Sequence, residues 1–258
     1  MWFKISTYLS FLLKSTNQHG VHSPFVYNLV TKCFYKKTSE DKVLLFKKIR
    51  NSLTTNYATI EVLDFGKGSK IFKSNTRKIS DIANIAGIST KKALLLIRLV
   101  AYFKPKNVLE IGTSVGLASS ALSIGNSNSK IVTLEGCENT AKVAENTFQK
   151  FQLKNIQLTV GDFKNTLPEI LVSSNFDFIY FDGNHQKEAT LNYFNRCIKT
   201  VTNNSVFIFD DIYWNPEMTE TWEIIKQHPK VTVTINTYFW GIVFFRKEQL
   251  KQHFTIRI

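Results

Sequence analysis

Asn107-Val108-Leu109-Glu110-Ile111-Gly112-Thr113-Ser114-Val115-Gly116 decides the fold. An apolar run of strand length stops at a glycine-bearing turn, and helix-length sequence follows it. The same unit returns at residues 130–136 (KIVTLEG), 156–162 (IQLTVGD), 176–183 (FDFIYFDG) and 205–211 (SVFIFDD). Strands that are apolar almost throughout are buried on both faces, as in a parallel sheet covered by helices. Residues 231–246, VTVTINTYFWGIVFFR, differ: they read as two strands around a short turn, an antiparallel hairpin. The expected class is α/β, with a doubly wound, mostly parallel, seven-stranded sheet that ends in this hairpin.

Upstream, residues 91–105 (KKALLLIRLVAYFKP) read as a helix ended by Pro105. Residues 91–258 are assigned to the main domain, and residues 1–90 to an N-terminal helical extension and connector. Trp2, Ile5, Leu9, Leu12 and Leu13 recur near helical spacing and predict an amphipathic first helix. Ser23 is placed to cap a helix starting at Pro24. A further helix is expected from about Glu40 to Leu53. An apolar stripe is costly to leave in water, so the first helix should pack on the core or on a second subunit. Symmetric dimers are common, and a homodimer is the expectation.

The chain has 258 residues, 43% hydrophobic and 21% charged, which suits a globular fold with a large core. Its formal charge of +13 would attract nucleic acid or other anions. No Lys/Arg block of tail length is present, and abundant Lys, Asn, Ile and Phe fit AT-rich codon usage, so nucleic acid is the secondary reading. The three cysteines, Cys33, Cys137 and Cys197, form no CxxC pair and suit a reducing, cytoplasmic setting. No run reaches the roughly 20 apolar residues of a membrane span, and the first residues lack a small-residue cleavage site.

The strand ends carry the chemistry. In a doubly wound sheet, ligands sit beyond the carboxyl ends of the strands. Gly112 and Gly116 let a ligand approach the backbone, with Thr113 and Ser114 between them. Glu110 can receive the charged amino group of a methionine moiety. Glu135, followed by Gly136, stands where an acidic side chain meets ribose hydroxyls. Asp162 can accept from an adenine amino group, with Phe163 flanking the ring, and can also cap the helix that follows. The GxxxG spacing argues against NAD, whose loop is GxGxxG. Residues 64–69 also fit a loose glycine-loop pattern, but no acidic strand end follows at the right distance, so they are read as connector or lid.

As an ordered set, Glu110-x-Gly112-Thr113-x-x-Gly116, then Glu135, Gly161-Asp162 and FDFIYFDGNH resemble the class I methyltransferases. The ExGTxxG form resembles most the O-methyltransferases related to catechol O-methyltransferase. HGVHSPF (19–25), with GIVFFR and KQHF near the C-terminus, resembles a group of bacterial methyltransferases. The resemblance covers roughly residues 91–246. It implies a Rossmann-like core, S-adenosylmethionine as cofactor and methylation of a small-molecule hydroxyl. It also implies a divalent ion such as Mg²⁺ at Asp182, Asp210 and Asp211, with Asp211 where these relatives have asparagine. His185 stands at the offset of their lysine base, and a neutral imidazole can take a hydroxyl proton; Asp182 and His185 are thus the candidate catalytic pair. Asp182 also belongs to the candidate cofactor set. Ala118 replaces a serine of these relatives, with Ser119 one later, and their aromatic gatekeepers are replaced by Gly183 and Asn184. Catechol is therefore not the expected substrate. Tyr213 and Trp214 could line an apolar wall. The rival readings are a nucleic-acid methyltransferase, disfavoured because FDGN replaces an Asn-Pro-Pro-Tyr-like motif, and a non-catalytic cofactor-binding or membrane-docking protein.

Overall fold

The computed structural model describes residues 2–63 and 74–258, which fall into two compact units. The glycine-loop look-alike at 64–69 lies outside the described residues. The first unit spans Lys36–Ile170. It contains helix α3, Glu40–Thr54 (α1, Trp2–Lys14, and α2, Pro24–Leu29, belong to the other unit), then a small antiparallel pair of β1, Thr59–Glu61, with β2, Thr76–Lys78. Then come α4 (Ile79–Ile85), α5 (Thr90–Phe103), β3 (Asn107–Ile111), α6 (Leu117–Gly125), β4 (Lys130–Glu135), α7 (Glu138–Lys150) and β5 (Ile156–Val160). Most of α8, Phe163–Ser173, closes the unit.

Local chemistry explains these boundaries. The Ser89 side chain accepts from the Lys92 amide and starts α5, while Lys104, left-handed at φ 48°, ends it before Pro105. The buried face of α5 runs through Ala93, Leu96, Ile97 and Val100. Helix α6 is buried on every side and rich in small residues. A Cβ on Gly125 would lie 2.6 Å from Val100 Cβ, so glycine is what lets α5 and α6 approach. Strand β4 lies between β3 and β5, parallel to both.

The second unit combines Met1–Tyr35 with Leu171–Ile258. It holds α1 (Trp2–Lys14), α2 (Pro24–Leu29), β6 (Phe178–Phe181), α9 (Lys187–Cys197), β7 (Val206–Asp210), α10 (Pro216–Gln227), β8 (Val233–Asn236), β9 (Trp240–Phe244) and β10 (Gln252–Thr255). Strands β6 and β7 are parallel, and β7–β9 and β8–β9 are antiparallel, as the hairpin pattern predicted. All side chains of β6, β7 and β9 are buried. Much of the Phe content is spent here: Phe181 stacks on Phe209 at 4.3 Å, and Phe194 packs edge-on against Phe207 and Phe209.

The sheet has eight strands in the order β10-β8-β9-β7-β6-β3-β4-β5. The extra strand is β10, parallel to β8. Its residues are exposed or half-buried, so they lack the apolar run that reveals a strand. Beyond β10, Ile256 bridges Thr16, which ties the N-terminal segment to the chain's end. Ser23 caps α2 as expected, and also donates to the Gln249 side chain. The next residue but one, Phe25, packs edge-on against Phe244 and beneath the Arg246 guanidinium at 4.5 Å. The HGVHSPF and GIVFFR segments are thus packing partners.

Helix α1 forms as predicted, but its apolar stripe does not enter the chain's own core. Trp2 is 85% and Leu13 89% exposed, and Ile5 and Leu9 lie between them. The opposite face carries the intrachain contacts, through Phe11 and Tyr8 on Tyr238. Among the described residues, no helix is long and apolar enough to cross a membrane.

Candidate active site

The end of β3 turns through three positive-φ residues, Gly112 (107°), Ser114 (51°) and Gly116 (85°). A Cβ at Gly116 would come within 2.7 Å of the Phe148 ring, so both backbone angle and space demand glycine. The amides of Gly112 and Thr113 both donate to the Leu134 carbonyl, fastening the loop to β4. The Thr113 hydroxyl meets that of Thr133 at 2.5 Å. Glu135 reaches back: its Oε2 accepts from the Ser114 amide at 2.6 Å, and its Oε1 from the Cys137 amide just beyond Gly136 at 2.9 Å. A carboxylate has about four acceptor sites, so the Glu135 pair retains capacity for a vicinal diol. Burial pushes its pKa up, against the backbone amides that hold it down.

Glu110 is fully buried. Its Oε2 accepts from the Ser119 hydroxyl and, at 2.6 Å, from the Thr133 hydroxyl. Its Oε1 is buried without a hydrogen-bond partner. Burial, with a smaller contribution from the Glu135 charge, pushes this carboxyl up to about 8 despite those two hydroxyls. Such a group is an incomplete polar site, suited to a cationic ligand group. At the neighbouring strand end, the Gly161 amide donates to the Glu135 carbonyl. Asp162 accepts from the Lys164 amide at 2.9 Å and so caps the helix that Phe163 begins. The structure therefore links Glu110, Gly112, Thr113, Ser114, Glu135 and Gly161 by hydrogen bonds, with Gly116, Gly136, Asp162 and Phe163 beside them in sequence.

In the other unit, Asp182 follows β6 and His185 lies three residues on, with Nε2 3.9 Å from Asp182 Oδ1. That is ion-pair distance, longer than a hydrogen bond. Asn184 (φ 66°) and His185 (φ 22°) make a strained turn, held where the Asn184 amide donates to the Tyr193 hydroxyl. The His185 ring lies 6.2 Å from that of Trp214. Tyr213 is part of a stack rather than a bare wall: Tyr238 lies on it at 5.2 Å, and Asn236 donates to its hydroxyl at 2.7 Å.

The expected metal set is not assembled. Among the described residues, no group of three or more His, Cys, Asp or Glu side chains could hold a metal ion. Asp210 closes the strand and Asp211 follows it outside. Asp211 adds a left-handed turn at φ 52°, and its amide is tied to the Phe239 carbonyl. The donors Asp182, Asp210 and Asp211 thus do not fit a divalent ion.

The O-methyltransferase family matches residues 70–240. The chain belongs to this family. It is an S-adenosylmethionine-dependent methyltransferase of class I architecture. Solved structures similar to this O-methyltransferase include the Podospora anserina methyltransferase PaMTH1 bound to SAH, 17% identical, with 88% of this chain and 97% of that one covered at a TM-score of 0.61. The O-methyltransferase from Bacillus cereus in complex with SAH is 19% identical, covering 80% and 92% at 0.57. TomG from Streptomyces achromogenes, solved with SAM and involved in tomaymycin synthesis, is 16% identical, covering 84% and 95% at 0.56. At these identities the likeness is one of fold.

Sequence reasoning missed several residues of this O-methyltransferase. Ser119 and Thr133 hold Glu110 in place. Ser119 was visible as a displaced serine, while Thr133 left only a polar residue in an apolar strand as its signal. Tyr238 and Lys4, which contact Tyr213 and Trp214, gave no local signal.

Proposed function

We propose that this O-methyltransferase moves a methyl group from S-adenosylmethionine to a hydroxyl of a small-molecule acceptor, with the cofactor at the ends of β3, β4 and β5. The unpartnered buried oxygen of Glu110 carries the reading, because a ligand ammonium completes it. Glu135 receives the ribose diol, Gly112, Thr113, Ser114, Gly116 and Gly136 shape the backbone around the ligand, and Asp162 and Phe163 flank the adenine. Asp182 is proposed to orient His185 rather than to touch the cofactor.

The bound cofactor supplies a methyl group already activated on a sulfonium. The protein's remaining tasks are alignment and proton removal. His185 Nε2 is proposed to take the proton of the acceptor hydroxyl, and the Asp182 carboxylate stabilises the imidazolium that results. No step is routed through a divalent ion, whose donors do not gather. The exposed stripe Trp2, Ile5, Leu9 and Leu13 supports a homodimer that covers it. The three buried cysteines form no disulfide, which is compatible with the cytoplasm.

Calorimetry tests the cofactor assignment. S-adenosylmethionine and S-adenosylhomocysteine should bind and NAD should not. Glu135→Ala should lose about 1.5–3 kcal/mol, roughly 10- to 150-fold in affinity. NAD binding without adenosylmethionine binding, or unchanged affinity in a folded Glu135→Ala protein, overturns it.

A further inference from the structure

Cys137 stands at the N-cap of α7, with extended backbone at φ −92°, yet its side chain makes no cap bond. An N-cap usually carries Ser, Thr, Asp or Asn, whose side-chain oxygen accepts from an amide of the first helical turn. Here the buried thiol faces the other way, toward β1. Its Sγ accepts from the Leu63 amide at 3.3 Å and donates to the Glu61 carbonyl at 3.7 Å. A second donor meets the same carbonyl, because Asn139 Nδ2 lies 2.8 Å from the Glu61 oxygen.

The strand that receives these bonds has two edges. One edge of β1 pairs with β2, and the ladder runs on where the Val62 amide donates to the Asn75 carbonyl at 2.8 Å. The Glu61 carbonyl and the Leu63 amide belong to the other edge, since alternate residues of such a strand face opposite partners. Cys137 and Asn139 satisfy that edge in place of a third strand. Cys137 is also bonded to the candidate ribose acid. Its amide donates to Glu135 Oε1 at 2.9 Å, and the Ser114 amide donates to Oε2 at 2.6 Å. One amide on each oxygen fixes the plane of the carboxylate. The Gly136–Cys137 turn that carries one of these amides takes part of its anchorage from β1, through the sulfur.

We infer that Cys137 is a positioning residue for Glu135, supported by Asn139, so that the β1–β2 pair sets how well the site recognises the ribose diol. The inference rests on the proposed ribose role of Glu135. Cys137 and Asn139 act through that carboxylate and not by contact with the ligand. Once the bonds to β1 are gone, the Cys137 amide can shift, and Glu135 Oε1 loses its fixed donor. A carboxylate that is no longer held in one plane is less preorganised for two hydroxyls, and the preference for a diol falls.

The test uses the full-length protein in competition titrations against S-adenosylhomocysteine, with adenosine and 2′,3′-dideoxyadenosine as probes. The two differ only in the ribose hydroxyls. The wild-type protein should bind adenosine at least about tenfold more tightly, and Glu135→Ala should bring the two within about twofold. Cys137→Ala and Asn139→Ala should each cut the preference at least about threefold and leave dideoxyadenosine binding within about twofold. In the Glu135→Ala background neither substitution should change the preference further, because both act through the same carboxylate. Alanine is the strongest helix former, so Asn139→Ala preserves α7 even where Cys137→Ala disturbs packing. An unchanged preference in both variants overturns the inference. So does an equal loss of both probes, which marks a merely structural role for the β1–β2 pair. Equal binding of the two probes by the wild-type protein refutes the ribose role of Glu135 and the inference with it. Failure of S-adenosylhomocysteine to bind refutes the cofactor reading on which both depend.

Discussion

Ser119, at the start of α6, donates its hydroxyl to the Glu110 carboxyl on β3, so the helix after the glycine loop holds the acid that precedes it. The loop Gly112–Gly116 is closed at both ends by this bond. The same bond only partly offsets the burial of Glu110, whose ionisation is displaced to about 8 from an ordinary 4.5.

A stability slope follows from that displacement. Between about 4.5 and 8 the folded protein keeps the Glu110 proton and the unfolded chain has lost it. Rising pH then favours the unfolded chain, by about 1.4 kcal/mol per pH unit for one proton, with no contribution to the slope outside the window. Glu110→Gln stays neutral and should remove this component. Urea unfolding of both proteins at pH 5, 6.5 and 8 measures it, and identical slopes would contradict the assignment.

Gly116→Ala should be costly twice over. The left-handed backbone disfavours a side chain by about 1–3 kcal/mol, and the new Cβ meets Phe148. Combining it with Phe148→Leu should return the steric part and leave the backbone part. Denaturation midpoints for the two single variants and the pair separate these contributions. Wild-type stability in Gly116→Ala alone would show that the loop is not fixed as described.

Removing the imidazole with His185→Ala should lower kcat by about 100- to 10,000-fold, the range of positioned general bases. Since Asp182, Asp210 and Asp211 do not gather, exhaustive chelation should leave transfer intact. Loss of activity on chelation, restored by Mg²⁺, would return the metal to the mechanism.

Light scattering at micromolar concentration should report a dimer. Leu9→Glu with Leu13→Glu places charge on the exposed stripe and should give a folded monomer, since a buried unpaired carboxylate is costly. A monomeric wild-type protein would leave the stripe without the proposed cover.

The residues proposed to hold the cofactor were legible because the sheet makes them so. A parallel strand buried on both faces is apolar, so Glu110 and Glu135 stand out, and glycines after a strand mark a turn that nothing else can make. The helix caps at Ser23 and Ser89 are likewise local, set by side chains bonding to amides three residues away.

Whatever depended on distant partners stayed hidden. The sequence by itself determined the α/β class, the hairpin β8–β9, the glycine loop and the acid at the end of each successive strand, because periodicity and turn chemistry act over a few residues. Only the tertiary structure decided that no metal-holding group of acids forms among the described residues, that β10 adds an eighth strand, and that the outer stripe of α1 stays exposed. It alone set Lys4 over Trp214. That contact joins the first helix to a turn near the C-terminal end of the chain. Its position is fixed by Tyr238 packing, and no local pattern in a one-dimensional sequence records which surfaces long-range burial will bring together.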